Sequence, residues 1–194
     1  MPQTTKPDEF EQIVDDSLPC PEVGRWAETK HSMVALYATL FASGMKAKWD
    51  NRTYIELYAG SGYNRIEGSD RLIAGSPLRV LQLKDRFDNY IFCEKTPALL
   101  EALEIRVARH APWAKVSYIA GDCNSMVQEI CVAIPAASSG YRVLSLCFVD
   151  PFDIGIKFET LRVLSTKYID FLVLLCSIHG REPKLLQLHQ GGVS

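Results

Sequence analysis

Tyr54-Ile-Glu-Leu-Tyr-Ala-Gly-Ser-Gly62 is the stretch on which the reading of this chain turns. An apolar run closes in a glycine turn, with an acidic residue, Glu56, shortly before it. Three later segments answer it: Ile91-Phe-Cys-Glu-Lys95, Ile119-Ala-Gly-Asp-Cys-Asn124 and Cys147-Phe-Val-Asp-Pro-Phe152. Each is an apolar run that stops at an acidic residue or just short of one. Successive parallel strands whose carboxyl ends line one crevice carry this rhythm. Open α/β sheets bind their ligands at that edge, near the point where strand order reverses.

Working outward, hydrophobic spacing predicts five strands, over 53–58, 90–93, 116–120, 142–149 and 169–176. Five helices are predicted over 23–42, 77–84, 97–110, 124–134 and 158–166. After Arg142, strand four is apolar except at Ser145, as a strand covered on both faces should be. Strands alternating with helices at this spacing argue for an α/β fold with a doubly wound, mostly parallel, Rossmann-like sheet. Between the glycine turn and the second helix lies a polar segment, 63–74. Gly75-Ser-Pro77 then restarts regular structure, with Ser76 suited to the N-cap and Pro77 to the first helical position.

The expected organisation is a loose, proline-containing arm over 1–22, one domain over 23–180 and a tail over 181–194. A chain of 194 residues supports one domain with a sizeable core. A net charge of −2 argues against a nucleic-acid binder held by bulk charge, though a local basic patch fits inside a neutral total. The N-terminus lacks the apolar core of a secretory signal, and no apolar run reaches membrane-spanning length. The six cysteines form no Cys-x-x-Cys pair. They read as small buried thiols in a reducing, cytoplasmic compartment, with no metal expected.

Four strand ends carry the candidate chemistry. Glycine at 60 and 62 permits positive φ and close backbone approach to a ligand. The third glycine of a dinucleotide fingerprint is missing, since Asn64 and Arg65 follow, and this weakens a nicotinamide reading. Glu94, at the end of strand two, suits the hydroxyls of a ribose; its alternative is a solvated acid beside Lys95. Asp122 suits an adenine amine, while Asp122 or Asn124 would equally well cap the fourth helix. Asp150-Pro-Phe152 resembles the Asp/Asn-Pro-Pro-Tyr/Phe loop of methyltransferases acting on exocyclic amines. There the acid and the following carbonyl accept from the amine and the aromatic stacks on the base. The alternative is a strand-ending turn with Phe152 packed beneath a helix. Lys30 and His31 read as a solvated helix face rather than catalytic groups. His110 and His179 have no partner at metal-ligand spacing.

Taken together, Trp26…Lys30, Tyr54-x-x-x-Tyr-Ala-Gly-Ser-Gly62, Gly75-Ser-Pro-Leu78, Phe92-x-Glu94-Lys95, Gly121-Asp-x-Asn124 and Val149-Asp-Pro-Phe152 resemble the three-Cys-motif partner proteins. The resemblance runs from about Val23 to Leu175. It implies a bacterial protein with an S-adenosylmethionine-dependent methyltransferase fold, that cofactor, and a separate partner carrying the three-cysteine motif. The cofactor-binding set expected on this reading is Glu56, Tyr58, Gly60, Gly62, Glu94, Asp122 and Cys123. The acceptor set is Asp150, Pro151 and Phe152. The acceptor would be a nucleic-acid base, another amine or a protein side chain. A non-catalytic partner protein of the same fold is the second reading, and a nicotinamide-dependent oxidoreductase the third.

Two departures from the family stand out. Asp153 replaces the glycine usual after Asp-Pro-Phe. Only five of the seven strands of a complete methyltransferase sheet are found, so the last two are expected to be missing. The tail reads as at most one short helix around 184–189. Strand five would then be an open apolar edge, through which the chain would form a homodimer, pair with a partner or aggregate.

Overall fold

The computed structural model describes residues 13–151, 155–175 and 184–188. In chain order its elements are β1 (Glu22–Val23), α1 (Trp26–Met45), β2 (Asn51–Glu56), β3 (Tyr63–Ile66), β4 (Leu72–Ala74), α2 (Ser76–Leu81), β5 (Asn89–Glu94), α3 (Pro97–His110), β6 (Val116–Ala120), α4 (Val127–Ala133), β7 (Val143–Val149), α5 (Phe158–Leu164), β8 (Ile169–Leu175) and β9 (Lys184–Leu188). The main sheet has the order β6-β5-β2-β7-β8-β9. Its first five strands are parallel, and they are the five that periodicity predicts. From β2 the chain winds outward through β5 and β6, then crosses back to β7 and winds the other way. The order reverses between β2 and β7, so the crevice opens at their carboxyl ends.

Strand alternation sorts the core into two faces. Tyr54, Leu146, Phe148, Tyr90 and Phe92 meet Val34, Ala38 and Phe41 of α1, Leu78 and Leu81 of α2, and Leu103 of α3. Ile55, Cys147, Val149, Ile91 and Phe171 meet Val127 and Ile130 of α4 and Leu164 of α5. Every residue of β2 and β7 is buried, as strands covered on both sides must be.

Four expectations are corrected. The tail does not form a helix: 184–188 is a strand, antiparallel to β8 with Leu172 opposite Gln187. It supplies one of the two strands expected to be missing and covers the β8 edge, so the open edge invoked for a homodimer is absent. The polar segment 63–74 is also a strand pair. Tyr63–Ile66 runs antiparallel to Leu72–Ala74, and β1 adds in parallel to β3. Ile66 and Ile73 bury against Ala27, which a tally of polar residues conceals. The expected loose arm is not loose where it is described. Residues 15–21 are held by Arg65 and Arg106, and Pro21 accepts the Arg65 amide at 2.9 Å. Finally, α1 begins and ends three residues later than periodicity predicts, at Trp26 and Met45, and α4 is shortened to Val127–Ala133. Residues 1–12, 176–183 and 189–194 lie outside the described residues, including His179.

Candidate functional site

β2 delivers Glu56 to the face that carries α1 and α2, because it shares the orientation of Tyr54 two residues earlier. The Tyr54 hydroxyl donates to Glu56 Oε2 at 3.0 Å, and Ser76 Oγ donates to Oε1 at 2.5 Å. Ser76 therefore does not cap α2. Gly75 takes that position and Ser76 is the first helical residue, which turns its hydroxyl onto β2. Glu56 is 1% exposed. Burial pushes its carboxyl up to about 8, against the two hydroxyl bonds, and the nearby Asp150 adds to the rise. At neutral pH this carboxyl is a neutral acid.

Asp150 follows β7 and points to the same face. Its Oδ2 accepts from Lys30 Nζ at 2.5 Å, with both side chains about one-fifth exposed. Lys30 is thus not on a solvated face. It lies on the inward stripe of α1 with Ala27 and Val34, and its charge inside an apolar stripe was the available sign. His31 is likewise buried, at 5% exposed. Burial, then Lys30 and Arg79, push its imidazole down to about 3, so it is neutral.

The glycine turn separates two roles. Gly60 has φ +63, and no atom lies within 4 Å of where a Cβ would stand. Its amide donates to Glu94 Oε2 at 2.9 Å, while Glu94 Oε1 accepts the Thr96 amide at 2.8 Å. The open space over Gly60 thus borders a carboxylate that keeps lone pairs free for further donors. Gly62, at φ +84, is different: a Cβ there would stand 2.9 Å from Leu103 Cδ1 and 3.2 Å from Leu78 Cδ1. Gly62 is required by packing against α2 and α3, not by open space for a ligand.

Beyond β6, Asp122 Oδ1 accepts the Asn124 amide at 2.9 Å, and the Asn124 amide and Lys95 hold the Asp122 carboxyl low. Neither Asp122 nor Asn124 caps α4, whose N-cap is Met126 without a side-chain bond. Asn124 instead ties this loop to the start of α5. It donates to Gly155 O at 2.8 Å and accepts from the Lys157 amide and Thr160 Oγ1. Cys123 is buried against Tyr58, and burial raises its thiol, which therefore stays protonated. Pro151 is buried behind Asp150. Phe152 and Asp153 lie outside the described residues. His110 pairs with the Tyr63 hydroxyl at 2.5 Å. Among the described residues no group of three or more His, Cys, Asp or Glu is placed to hold a metal ion. None of their helices is long and apolar enough to cross a membrane.

The chain therefore brings Glu56, Gly60, Glu94, Asp122 and Asp150 to one edge of a parallel sheet, around the point where strand order reverses. That arrangement defines an α/β domain with a Rossmann-like fold of the methyltransferase type. No protein-family model matches the chain, and no curated protein matches it. Among solved structures, a DUF519 protein from Legionella pneumophila str. Philadelphia 1 aligns with a TM-score of 0.52 at 15% identity, over 74% of this chain and 66% of that one. The O-methyltransferase TomG from Streptomyces achromogenes, involved in tomaymycin synthesis and in complex with SAM, aligns with a TM-score of 0.51 at 14% identity, over 75% of this chain and 55% of that one. The chain spans less than two thirds of the length of either. At such identities the likeness is one of fold, and the fold is that of S-adenosylmethionine-dependent methyltransferases.

Proposed function

We propose that this chain binds S-adenosylmethionine at the carboxyl edge of β2, β5 and β6 and transfers its methyl group to an amine. The observation that carries this is the empty space over Gly60, at positive φ, beside the Glu94 carboxylate. A backbone without a Cβ lets a ligand lie close to the turn, and Glu94 would accept from ribose hydroxyls. Asp122 would accept from the adenine edge, with Cys123 and Tyr58 beneath it. Glu56 would lie nearest the methionine end, and Gly62 holds the turn's shape from behind. The cofactor, once bound, supplies an electrophilic methyl group.

The residues of this chain then have to orient an acceptor. Asp150 and the Pro151 backbone would accept from an amine and aim its lone pair, with Phe152 as an aromatic wall. Alignment of this kind contributes more to such a transfer than a strong base does. Lys30 now occupies one oxygen of Asp150, so an incoming amine must share that carboxylate or displace Lys30. The acceptor class is a nucleic-acid base, another amine or a protein side chain, in that order. The resemblance in motifs supports a cytoplasmic bacterial protein of the three-Cys-motif partner type, acting beside a partner that carries that motif.

A second reading has its own support. Because the acceptor carboxylate is already neutralised by Lys30, the second reading is a cofactor-binding partner protein without transfer. Calorimetric titration with S-adenosylmethionine, S-adenosylhomocysteine and NAD tests the cofactor. Binding of the first two and not NAD is expected. Binding of NAD alone would replace this reading with an oxidoreductase. Transfer of labelled methyl to nucleic acid or protein extracts separates the transferase from the silent partner.

A further inference from the structure

Arg106 stands in the middle of α3 and is 1% exposed. Its guanidinium grips two segments that are far apart in sequence. Toward the N-terminal strap, Nε and Nη2 form a two-point bond to Asp16, at 3.0 and 2.6 Å. Nη1 donates to Pro19 O at 3.0 Å and Nη2 to Leu18 O at 3.3 Å. Toward the glycine turn, Nη1 donates to Ser61 O at 2.8 Å. The group also lies over the Tyr63 ring, 4.3 Å from its centre. All five N–H donors of the side chain are engaged.

The position of Ser61 gives this clamp its meaning. Ser61 stands between Gly60 and Gly62, both at positive φ. Two neighbouring residues without side-chain restraint make a soft turn. The Arg106 bond to Ser61 O, and the Gly75 amide on Gly62 O at 2.8 Å, fix its carbonyls from behind. The cation that does this is itself buried, and a buried cation needs a buried anion. Asp16, with a side chain 8% exposed, is that anion, and Arg109 adds a longer contact at 3.4 Å. If the strap leaves, Arg106 keeps one carbonyl and loses its counter-charge. It must then turn toward water and release Ser61.

We infer that Asp16 and Arg106 are positioning residues which couple the N-terminal strap to the glycine turn, so that the turn keeps its ligand-ready shape only while the strap is docked. The affinity arm of the test rests on the cofactor reading above; the exchange arm does not.

The experiment is native-state hydrogen exchange on the full chain across a low denaturant series. The reporters are the Leu18 amide in the strap and the Gly60 and Gly75 amides in the turn. Coupling means that all three open in one step, below global unfolding. Asp16→Asn should then speed exchange at Gly60 and Gly75 about tenfold relative to Ile55 and Cys147, and weaken S-adenosylhomocysteine binding about tenfold. Asp16→Glu should restore both. Asp85→Asn, whose carboxylate meets Ser43 and Lys46 and neither the strap nor the turn, should change neither. The inference is overturned if Leu18 opens alone while Gly60 and Gly75 exchange only with global unfolding, or if a folded Asp16→Asn matches the wild type at both glycines. If Asp16→Asn does not fold, the wild-type series alone decides. If the wild type binds no S-adenosylhomocysteine, the cofactor reading falls and the exchange result still stands.

Discussion

Replacing Glu56 with glutamine should remove a strong pH dependence of stability across the neutral range. Glu56 is 1% exposed, and its only described side-chain partners are the hydroxyls of Ser76 and Tyr54. Burial raises its carboxyl from the ordinary 4.5 to about 8. Between those values the folded protein holds a proton that the unfolded chain has lost. Folding therefore binds a proton, and stability falls as pH rises. The contribution is complete below about 4.5 and gone above about 8. At about 1.4 kcal/mol per pH unit, the whole interval amounts to about 5 kcal/mol at most. Glutamine keeps the two hydroxyl partners and cannot ionise. Urea melts of both proteins at a series of pH values isolate the effect, because every other titrating group is shared. The wild type should lose ground steadily to the variant from acid to alkaline pH. A constant difference would mean that Glu56 is ionised in the folded state, and that Lys30 neutralises it as well as Asp150. The neutral buried acid would then be refuted.

Four further outcomes are expected. Glu94→Ala should weaken S-adenosylhomocysteine about ten- to a hundredfold in calorimetry, the loss of a charged acceptor worth about 1.5–3 kcal/mol; an unchanged affinity would remove Glu94 from the site. Gly60→Ala, with open space around its Cβ, should cost only about 1–2 kcal/mol of backbone strain in a thermal melt yet weaken the same ligand. Gly62→Ala should destabilise by about 1–3 kcal/mol more, because its Cβ meets Leu103 and Leu78. Asp150→Ala and Phe152→Ala should each abolish methyl transfer and keep ligand affinity within about threefold; loss of the ligand on the scale of Glu94→Ala would place that loop at the cofactor instead.

The succession of parallel strands along the chain and the acidic residue at each strand end were legible because both signals are local. An apolar run and the residue that stops it occupy neighbouring positions, and side-chain alternation needs no partner to be read. So Glu56, Glu94, Asp122 and Asp150 are placed along the chain before any contact is known. The use made of each one is not local. Lys30 meets Asp150 across 120 residues, and Arg106 meets Asp16 across 90. Helix periodicity sets both cations on the inward stripes of α1 and α3 without naming a partner, because only the folded sheet brings an anion to each. Ser76 looks like a cap until β2 sets Glu56 against it, 20 residues away. The two glycines of the turn look alike in sequence, and only α2 and α3 distinguish one in open space from one pressed by leucines. Lys184-Leu-Leu-Gln-Leu188 suits a short helix as well as a strand on its own; the unpaired backbone of β8 decides it, because a buried strand edge must find hydrogen-bond partners.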